Sequence, residues 1–341
     1  MKNNNPIDRK RNAAGSISLP DPSDPIQDMI ELDDILYIIR DRSVYEIKLA
    51  DTLDPQRKHI STKGTTCKVL DIGMNSTIVS RILTQARSLI RNACLSKECD
   101  KTITKTCFNC VKELKHLDSI YNDLSEKFSN KKEKYNEILA RNPQRDFIQD
   151  VPIIENIDKN ARDFFVTGHK YLQLLLDLAN LAIPNNDSKK SFSEIKKYYL
   201  TNNDQDNKIL LVLQHYDNLL DFMWNLRNSI EHSSTKGNLF AIINISYGEK
   251  NEIIPPMWEY SFNSWSKTVV RTESKRMLLD DMRTYIENLL KITEDLLVSI
   301  ICTIIDSREN FFPYKISIDE DPRAEIRYKL QFFLPNDFVK K

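Results

Sequence analysis

The sequence predicts a mainly α fold, in which a smaller α+β region precedes a C-terminal helical bundle with a small β insertion. The chain has only 6 glycines among 341 residues, which leaves few positions for tight turns and favours long helices. Apolar residues also recur at helical spacing through two long segments of the C-terminal half, Asp158–Ile183 and Ser274–Ile305. A hydrophobic fraction of 40% and a charged fraction of 29% are typical of a folded globular protein.

The N-terminal part of the chain predicts a tail followed by an α+β region over residues 26–145. Residues 1–25 are polar and end in closely spaced prolines, which is typical of a flexible tail. Two β-rich runs, Ile35–Ile39 and Ser43–Leu49, flank a polar turn and predict a hairpin. Two helices are predicted to follow, over Asn75–Asn92 and from Val111 to about Ala140.

The C-terminal part predicts a helical bundle over residues 150–310 and a C-terminal extension of mixed character over residues 311–341. Pro184 is a natural stop for the first of these helices, because proline lacks the backbone N–H that a helix needs. The predicted helices are Asp158–Ile183, Phe192–Leu200, Asp206–Ser233 and Ser274–Ile305, with the inserted strands at Leu239–Ser246 and Pro256–Phe262.

The sequence argues against several classes of protein. It has no P-loop, Rossmann or zincin motif. Met1–Ser18 is polar and lacks the apolar core of a secretory signal. The longest apolar stretch, Leu296–Ile305, is about half of the roughly 20 residues that a membrane-spanning helix needs. We therefore expect a soluble, cytoplasmic protein with no membrane segment.

The charge balance restricts the kind of nucleic-acid binding that is expected. Lys plus Arg and Asp plus Glu both number 49, whereas broad nucleic-acid binding usually needs a basic excess. A local basic groove remains compatible with this balance. The basic residues that would line an RNA path, and that would equally suit solvated helix faces, are Lys189, Lys190, Lys196, Lys197, Lys236, Lys267, Arg271, Lys275 and Arg276.

Four of the six cysteines, Cys94, Cys99, Cys107 and Cys110, form a cluster with the spacing C-x4-C-x7-C-x2-C. In a chain without a secretory signal, such a cluster favours a metal over disulfides. Four thiolates give Zn²⁺ a closed tetrahedral shell, so the cluster predicts a structural zinc that pins the loop between the two N-terminal helices. The alternative is free thiols at helix ends, and His116 is an alternative ligand for one cysteine.

An arginine–histidine motif lies near the end of the predicted helix Asp206–Ser233. Arg227 can hold a phosphate through two parallel hydrogen bonds, and His232 can exchange a proton near neutral pH. Asn228, next to the arginine, supplies a polar amide. Because these residue types are the parts needed for RNA cleavage without a metal, Arg227, Asn228 and His232 are the candidate catalytic residues.

The spacing alone does not establish a site, because about one such match is expected by chance in this chain. A second pair, Arg162 and His169, shares one predicted helical face, and we expect it to be solvated or at the bundle edge. Arg227 and His232 project about 140° apart on a straight helix. They meet if the helix ends, as Ser233–Gly237 predicts, or if a second subunit completes the site. The alternative is a polar helix end in which His232 favours the negative end of the helix dipole.

The motif Arg227-Asn228-x-x-x-His232, at the end of a leucine-rich helix in a bundle of about four helices, resembles the HEPN superfamily (higher eukaryotes and prokaryotes nucleotide-binding). The resemblance covers about residues 150–310 and rests on this motif together with the helix layout. Many members are metal-independent endoribonucleases of toxin–antitoxin, abortive-infection and other antiviral defence systems. Some members carry a tyrosine two residues after the histidine that a partner enzyme modifies with AMP. Here that residue is Ser234, so the resemblance does not extend to this mode of inhibition.

The resemblance implies a mechanism and partners. His232 would act as general base or acid on the ribose 2′-hydroxyl or the leaving 5′-oxygen, and Arg227 would stabilise the charge that builds on the phosphorane. Asn228 would orient the phosphate or the histidine, and catalysis would need no cofactor. The expected partners are RNA, a second copy of the chain, and an antitoxin or other defence-system protein. A non-catalytic HEPN-like module for dimerisation or nucleotide binding is the alternative.

Overall fold

The structure, a computed structural model, describes residues 19–59, 61–141, 152–184, 187–202, 204–231, 238–248, 252–263, 269–271, 274–307, 313–321 and 326–333. Helices account for more than half of the chain, and the sheets are small and antiparallel, so the prediction of a mainly α protein is confirmed at this level. Contacts between residues divide the chain into two units. The N-terminal unit consists of residues 1–107 with 313–341, and the helical unit consists of residues 108–312.

A four-stranded antiparallel sheet forms the first part of the N-terminal unit. The predicted hairpin is confirmed as its two inner strands, in which Ile38 pairs with Tyr45. Ile30, Ile39 and Val44 are buried and share one face of the sheet, which is its apolar side. The strands, in their order across the sheet, are β1 (Ile26–Leu32), β2 (Ile35–Arg40), β3 (Val44–Lys48) and β4 (Thr65–Leu70), and the short helix α1 (Ala50–Leu53) follows β3.

Two helices follow the sheet along the chain. A π-helical turn, Val79–Thr84, leads into α2 (Gln85–Ala93), which confirms a helix close to the predicted segment. Cys94 ends α2 in the left-handed conformation, with φ of 48°. The next helix, α3 (Lys97–Arg141), begins well before Val111, where the sequence predicted its start.

The early start of α3 corrects the predicted environment of the cysteine cluster. Ile103, Cys107, Val111 and Leu114 are all fully buried and follow one another at helical spacing. A buried cysteine behaves as a small apolar residue, so it continues the apolar stripe of the helix. The predicted loop is therefore wrong for Cys99, Cys107 and Cys110, which lie within α3.

The division between the two units also falls within α3, after Cys107. The sequence predicted that the α+β region ends at residue 145 and that the bundle begins at residue 150. Residues 142–151 lie outside the described residues. The structural division thus follows the contacts of the helix rather than the composition of the chain.

The helical unit continues after α3 with α4 (Ile157–Asn180), α5 (Phe192–Thr201), α6 (Lys208–His215), α7 (Asp217–Glu231) and α8 (Leu278–Asp306). α4 packs against α7 and α8. Its buried face includes Phe164, Leu172 and Leu175, each fully buried. The hydroxyl oxygen of Tyr171 lies 2.6 Å from Thr293 Oγ1, a buried hydrogen bond between α4 and α8. These contacts make α4 the central helix of the candidate site described below.

The segment that was predicted as one helix, Asp206–Ser233, is divided at Tyr216. There the backbone, with φ of −100° and ψ of 12°, leaves the α conformation, and α7 begins at the next residue. The tyrosine is buried, and its hydroxyl donates a 2.7 Å hydrogen bond to Asp295 of α8. Neither glycine nor proline marks this division, which is why the apolar spacing predicted a continuous helix. The predicted end at Ser233–Gly237 lies outside the described residues.

The predicted β insertion between α7 and α8 is confirmed. β5 (Leu239–Ile243) pairs antiparallel with β8 (Met257–Asn263). Trp258 on β8 is fully buried and stacks on Phe165 of α4, with 4.6 Å between the ring centroids. The Trp258 Nε1–H donates a 2.7 Å hydrogen bond to Asp281 of α8, which also accepts from Arg276. The remaining strands of this region are β6 (Ser246–Tyr247), β7 (Ile253–Ile254), β9 (Val269–Arg271) and β10 (Arg276–Met277).

The described part of the C-terminal segment is a hairpin that belongs to the N-terminal unit. β11 (Tyr314–Ile318) pairs antiparallel with β12 (Tyr328–Phe332). Gln85 of α2 is fully buried; its amide donates to the Tyr328 carbonyl at 2.6 Å and accepts from the Tyr328 N–H at 2.9 Å. The predicted C-terminal extension therefore contributes two strands to the unit with which the chain begins.

Candidate active site

Arg227 lies in the last described turn of α7 and projects from the surface of the helical unit. Its guanidinium forms an ion pair with Glu231, one turn further along, at 2.6 Å from nitrogen to carboxylate oxygen. The two side chains are 40% and 35% exposed. An ion pair this exposed is weak and remains accessible to a ligand.

The other two residues of the sequence motif are only partly described. The backbone of Asn228 is part of α7, but its side chain lies outside the described residues, and so does the whole of His232. The described helix extends to Glu231. The structure thus gives the position of the arginine, and the convergence of Arg227 and His232 stays a prediction.

His169, on α4, is the residue beside Arg227 whose importance the sequence analysis missed. It is only 6% exposed, and its ring packs against Trp224 of α7 with 4.7 Å between the ring centroids. Its Nε2 lies 3.3 Å from the amide nitrogen of Gln173. Its Nδ1 is buried and has no hydrogen-bond partner among the residues that the structure describes. The sequence contains a signal for this burial, because Phe165 and Leu172 flank His169 on one apolar helical stripe.

Burial, assisted by the neighbouring arginine, keeps the ring of His169 neutral. Burial lowers the pKa of His169 below its ordinary value of 6.5, and the positive charge of Arg227 lowers the pKa further. The carboxylate of Glu231 acts in the opposite direction. At neutral pH the end of α7 therefore presents one arginine and one carboxylate beside a neutral imidazole on α4.

A glycine lets α4 and α7 approach closely at this point. A Cβ atom at Gly168 would lie 3.1 Å from the terminal methyl of Met223 on α7. That separation is tighter than an ordinary van der Waals contact, so a side chain at position 168 would require the end of the Met223 side chain to shift by a few tenths of an ångström. The two helices are thus closely packed at the residue next to His169.

The expectation that Arg162 and His169 form a solvated or bundle-edge pair is wrong, because His169 is buried away from Arg162. Arg162 forms an ion pair with Asp158 at 2.8 Å, and its guanidinium carbon lies 5.1 Å from the centre of the Phe240 ring. His169 is buried against α7 instead. His169 therefore lies beside Arg227 and not beside Arg162.

The cysteines of the predicted zinc site differ in their surroundings. Cys94 is exposed at the end of α2, Cys99 is half-buried, and Cys107 and Cys110 are buried within α3. Burial raises the pKa of the Cys107 thiol to about 12. Across the described ranges, no three His, Cys, Asp or Glu side chains are grouped as the ligands of a metal ion would be. As placed, these residues do not form a zinc shell, and zinc remains a prediction from their spacing.

No known protein family, curated protein or solved structure matches this chain. None of the helices that the structure describes combines the length and apolar character needed to cross a membrane. A function for this chain must therefore be inferred from the residues around Arg227.

Proposed function

We propose that this chain is a metal-independent endoribonuclease of a toxin or antiviral (abortive-infection) defence system, acting in the cytoplasm through a HEPN-like bundle. The observation that supports this function best is the position of Arg227. It is a partly exposed arginine in the last described turn of a bundle helix, beside a neutral buried histidine, and among the described residues its ion pair is with Glu231 on the surface. The proposal joins this position to the sequence motif that continues through His232.

Arg227 can exchange its present partner for a phosphate. An exposed ion pair between residues four apart on a helix contributes only about 0.3–0.5 kcal/mol. A phosphate offers two oxygens to the planar guanidinium, and such paired, charge-assisted hydrogen bonds are stronger than a single exposed pair. Binding of RNA would therefore displace Glu231 from Arg227 at little energetic cost.

The proposed reaction needs one arginine and groups that move a proton. A base removes the proton of the ribose 2′-hydroxyl, whose oxygen then forms a bond to phosphorus. The bond from phosphorus to the 5′-oxygen breaks, and this oxygen receives a proton. His232 carries out proton transfer, Arg227 stabilises the negative charge on the phosphorane oxygens, and Asn228 orients the phosphate or the histidine. The products carry a 2′,3′-cyclic phosphate and a 5′-hydroxyl.

We expect a homodimer to form the working site. On a straight helix Arg227 and His232 project about 140° apart. Two copies related by a two-fold axis would bring two such helix ends to one cleft, where the arginine of one chain meets the histidine of the other. RNA is then the substrate, and an antitoxin or other defence-system protein that covers this cleft would inhibit cleavage.

Cleavage of RNA in the presence of EDTA tests this function. The purified chain should cut total RNA, and Arg227→Ala or His232→Ala should reduce the rate by about 100-fold or more. Arg283→Ala is the matched control, because Arg283 also pairs with a glutamate four residues later, Glu287, at 3.0 Å on the surface of α8. RNA that stays intact, or cutting that survives both substitutions, would contradict the proposal.

A non-catalytic module for dimerisation or nucleotide binding is the second candidate. It is favoured by the ion pair itself, since Glu231 already neutralises Arg227 as a purely structural pair would. This function predicts intact RNA in the cleavage assay together with a dimer in light scattering. Loss of nucleotide binding or of the dimer in Arg227→Ala would then assign the arginine to the interaction.

A further inference from the structure

A pocket of about 630 Å³ lies between α5 and α7, and the proposed cleavage step does not use it. Pockets for small ligands typically measure about 300–1,000 Å³. We call it the lysine pocket. Its lining includes Lys190, Phe192, Lys196, Lys197, Asp217 and Trp224. A second cavity of about 520 Å³ shares Lys196, Lys197 and Asp217 with it, so the depression extends further along α5.

An aromatic wall joins the lysine pocket to the candidate active site. Phe192 and Trp224 meet edge to face, with 6.0 Å between their ring centroids. The same Trp224 ring contacts His169. Arg227 follows Trp224 by three residues, which corresponds to about 4.5 Å of rise along α7. A ligand against Trp224 therefore lies within one nucleotide of the proposed cleavage site.

The lysines of the pocket differ in how far they are neutralised. Lys196 forms an ion pair with Asp217. Lys190 and Lys197 are exposed, and neither has an ion-pair partner within the described part of the chain. The carboxylates of Glu194 and Asp221 also line the pocket. Glu194 accepts a 2.8 Å hydrogen bond from the backbone N–H of Lys190, and Asp221 accepts a 3.0 Å hydrogen bond from the amide of Asn225. Two ammonium groups thus remain available for an anion at the mouth of a pocket with an aromatic wall.

We infer that the lysine pocket holds one nucleotide of single-stranded RNA, with its base against Trp224 and its phosphate between Lys190 and Lys197. An indole stacks on any base without regard to sequence, and two lysines beside it suit the backbone phosphate. Duplex RNA does not fit, because its bases are stacked on one another and its backbone is fixed in the helix. This inference rests on the proposed function, according to which cleavage takes place at the neighbouring phosphate.

Binding is measured on the full chain with Arg227→Ala, so that the RNA stays intact. The probe is a fluorescein-labelled single-stranded RNA of about 12 nucleotides, followed by anisotropy over a range of salt concentrations. Lys190→Ala with Lys197→Ala should weaken binding about tenfold at low salt. It should also reduce the slope of log K against log salt by about 0.7, since the two lysines neutralise one phosphate and each neutralised phosphate of a single strand contributes about 0.7. Lys131→Ala with Lys132→Ala, on the exposed side of α3, is the charge-matched control and should leave the slope unchanged.

Two further measurements test the aromatic wall and the strand preference. Trp224→Leu should weaken binding about tenfold through lost stacking, with circular dichroism confirming that the variant is folded. Duplex RNA of the same sequence should compete poorly. An unchanged salt slope in the double lysine variant, or duplex RNA that binds as tightly as the single strand, would overturn the inference.

The outcomes separate this inference from the nuclease function. Arg227-dependent cleavage with an unchanged KM in the double lysine variant would exclude RNA binding in the lysine pocket and support the nuclease function. RNA binding that depends on the two lysines, without cleavage by the wild type, would support RNA binding in the lysine pocket and exclude the nuclease function. Both proposals together predict a raised KM and an unchanged kcat in the double lysine variant.

Discussion

The substitution Asp281→Ala tests how strongly the β insertion is held against α8. The Asp281 carboxylate accepts 2.7 Å hydrogen bonds from Trp258 Nε1 and from Arg276 Nε. Asp281→Ala would leave the fully buried Trp258 N–H without its acceptor, which costs about 1–3 kcal/mol. The Arg276 side chain is 47% exposed and can turn to water, so its loss adds about 1 kcal/mol at most. We therefore expect the free energy of unfolding to fall by roughly 1–4 kcal/mol.

Urea denaturation followed by tryptophan fluorescence measures this change. All three tryptophans lie within residues 108–312, so the signal reports on the helical unit. Asp280→Ala is the matched control, because Asp280 is the exposed neighbour in the same first turn of α8. It also removes a charge from the helix N-terminus without touching Trp258. A loss below about 1 kcal/mol for Asp281→Ala, or an equal loss for Asp280→Ala, would refute the reasoning.

Three further predictions concern the histidine, the dimer and the cysteines. Since the pKa of His169 is lowered in the folded protein, the unfolded chain binds a proton there at a higher pH, and stability should fall as the pH drops below 6.5. Urea titrations at several pH values should show that His169→Gln loses this part of the pH dependence, and identical pH profiles would contradict a buried neutral imidazole. Mixing Arg227→Ala with His232→Ala chains should restore about a quarter of wild-type activity if each site combines two subunits, because half of randomly paired dimers then carry one complete site of two. No recovery after mixing would place the whole site within one chain. If the cysteine spacing does specify zinc, metal analysis should find about one zinc per chain and none in Cys107→Ser, whereas zinc-free protein would assign the thiols to helix packing.

The predictable parts of the fold are those with an unambiguous apolar period. The hairpin of β2 and β3, the long helices α4 and α8, and the insertion between α7 and α8 lie close to their predicted positions. Their buried residues repeat every two residues in strands and every three to four in helices, which is a property of the sequence alone. The spacing of apolar residues was sufficient to predict each of these helices and strands, because each of them buries one face.

The missed parts depend on contacts that local pattern does not contain. Cys107 was placed in a loop, although its burial makes it one of the apolar residues that start α3 early. Tyr216 divides a helix where its hydroxyl reaches Asp295, a residue distant in sequence. His169 was treated as polar, so its place beside Trp224 was missed. For the candidate site, the motif identified Arg227 but gave no information on which helix would face it.

The bond between Gln85 and Tyr328 bears on the order in which the protein is made. These partners are 243 residues apart in sequence, and residues 108–312 of the helical unit are synthesised between them. During translation Gln85 of α2 cannot be buried against Tyr328 until β12 has been made. The helical unit is one continuous segment and can fold first, since domains fold as units during synthesis. α2, which is translated before the helical unit, then reaches its final packing only after that unit has been made, and a stop codon after residue 312 would destabilise α2 by removing its partner strand.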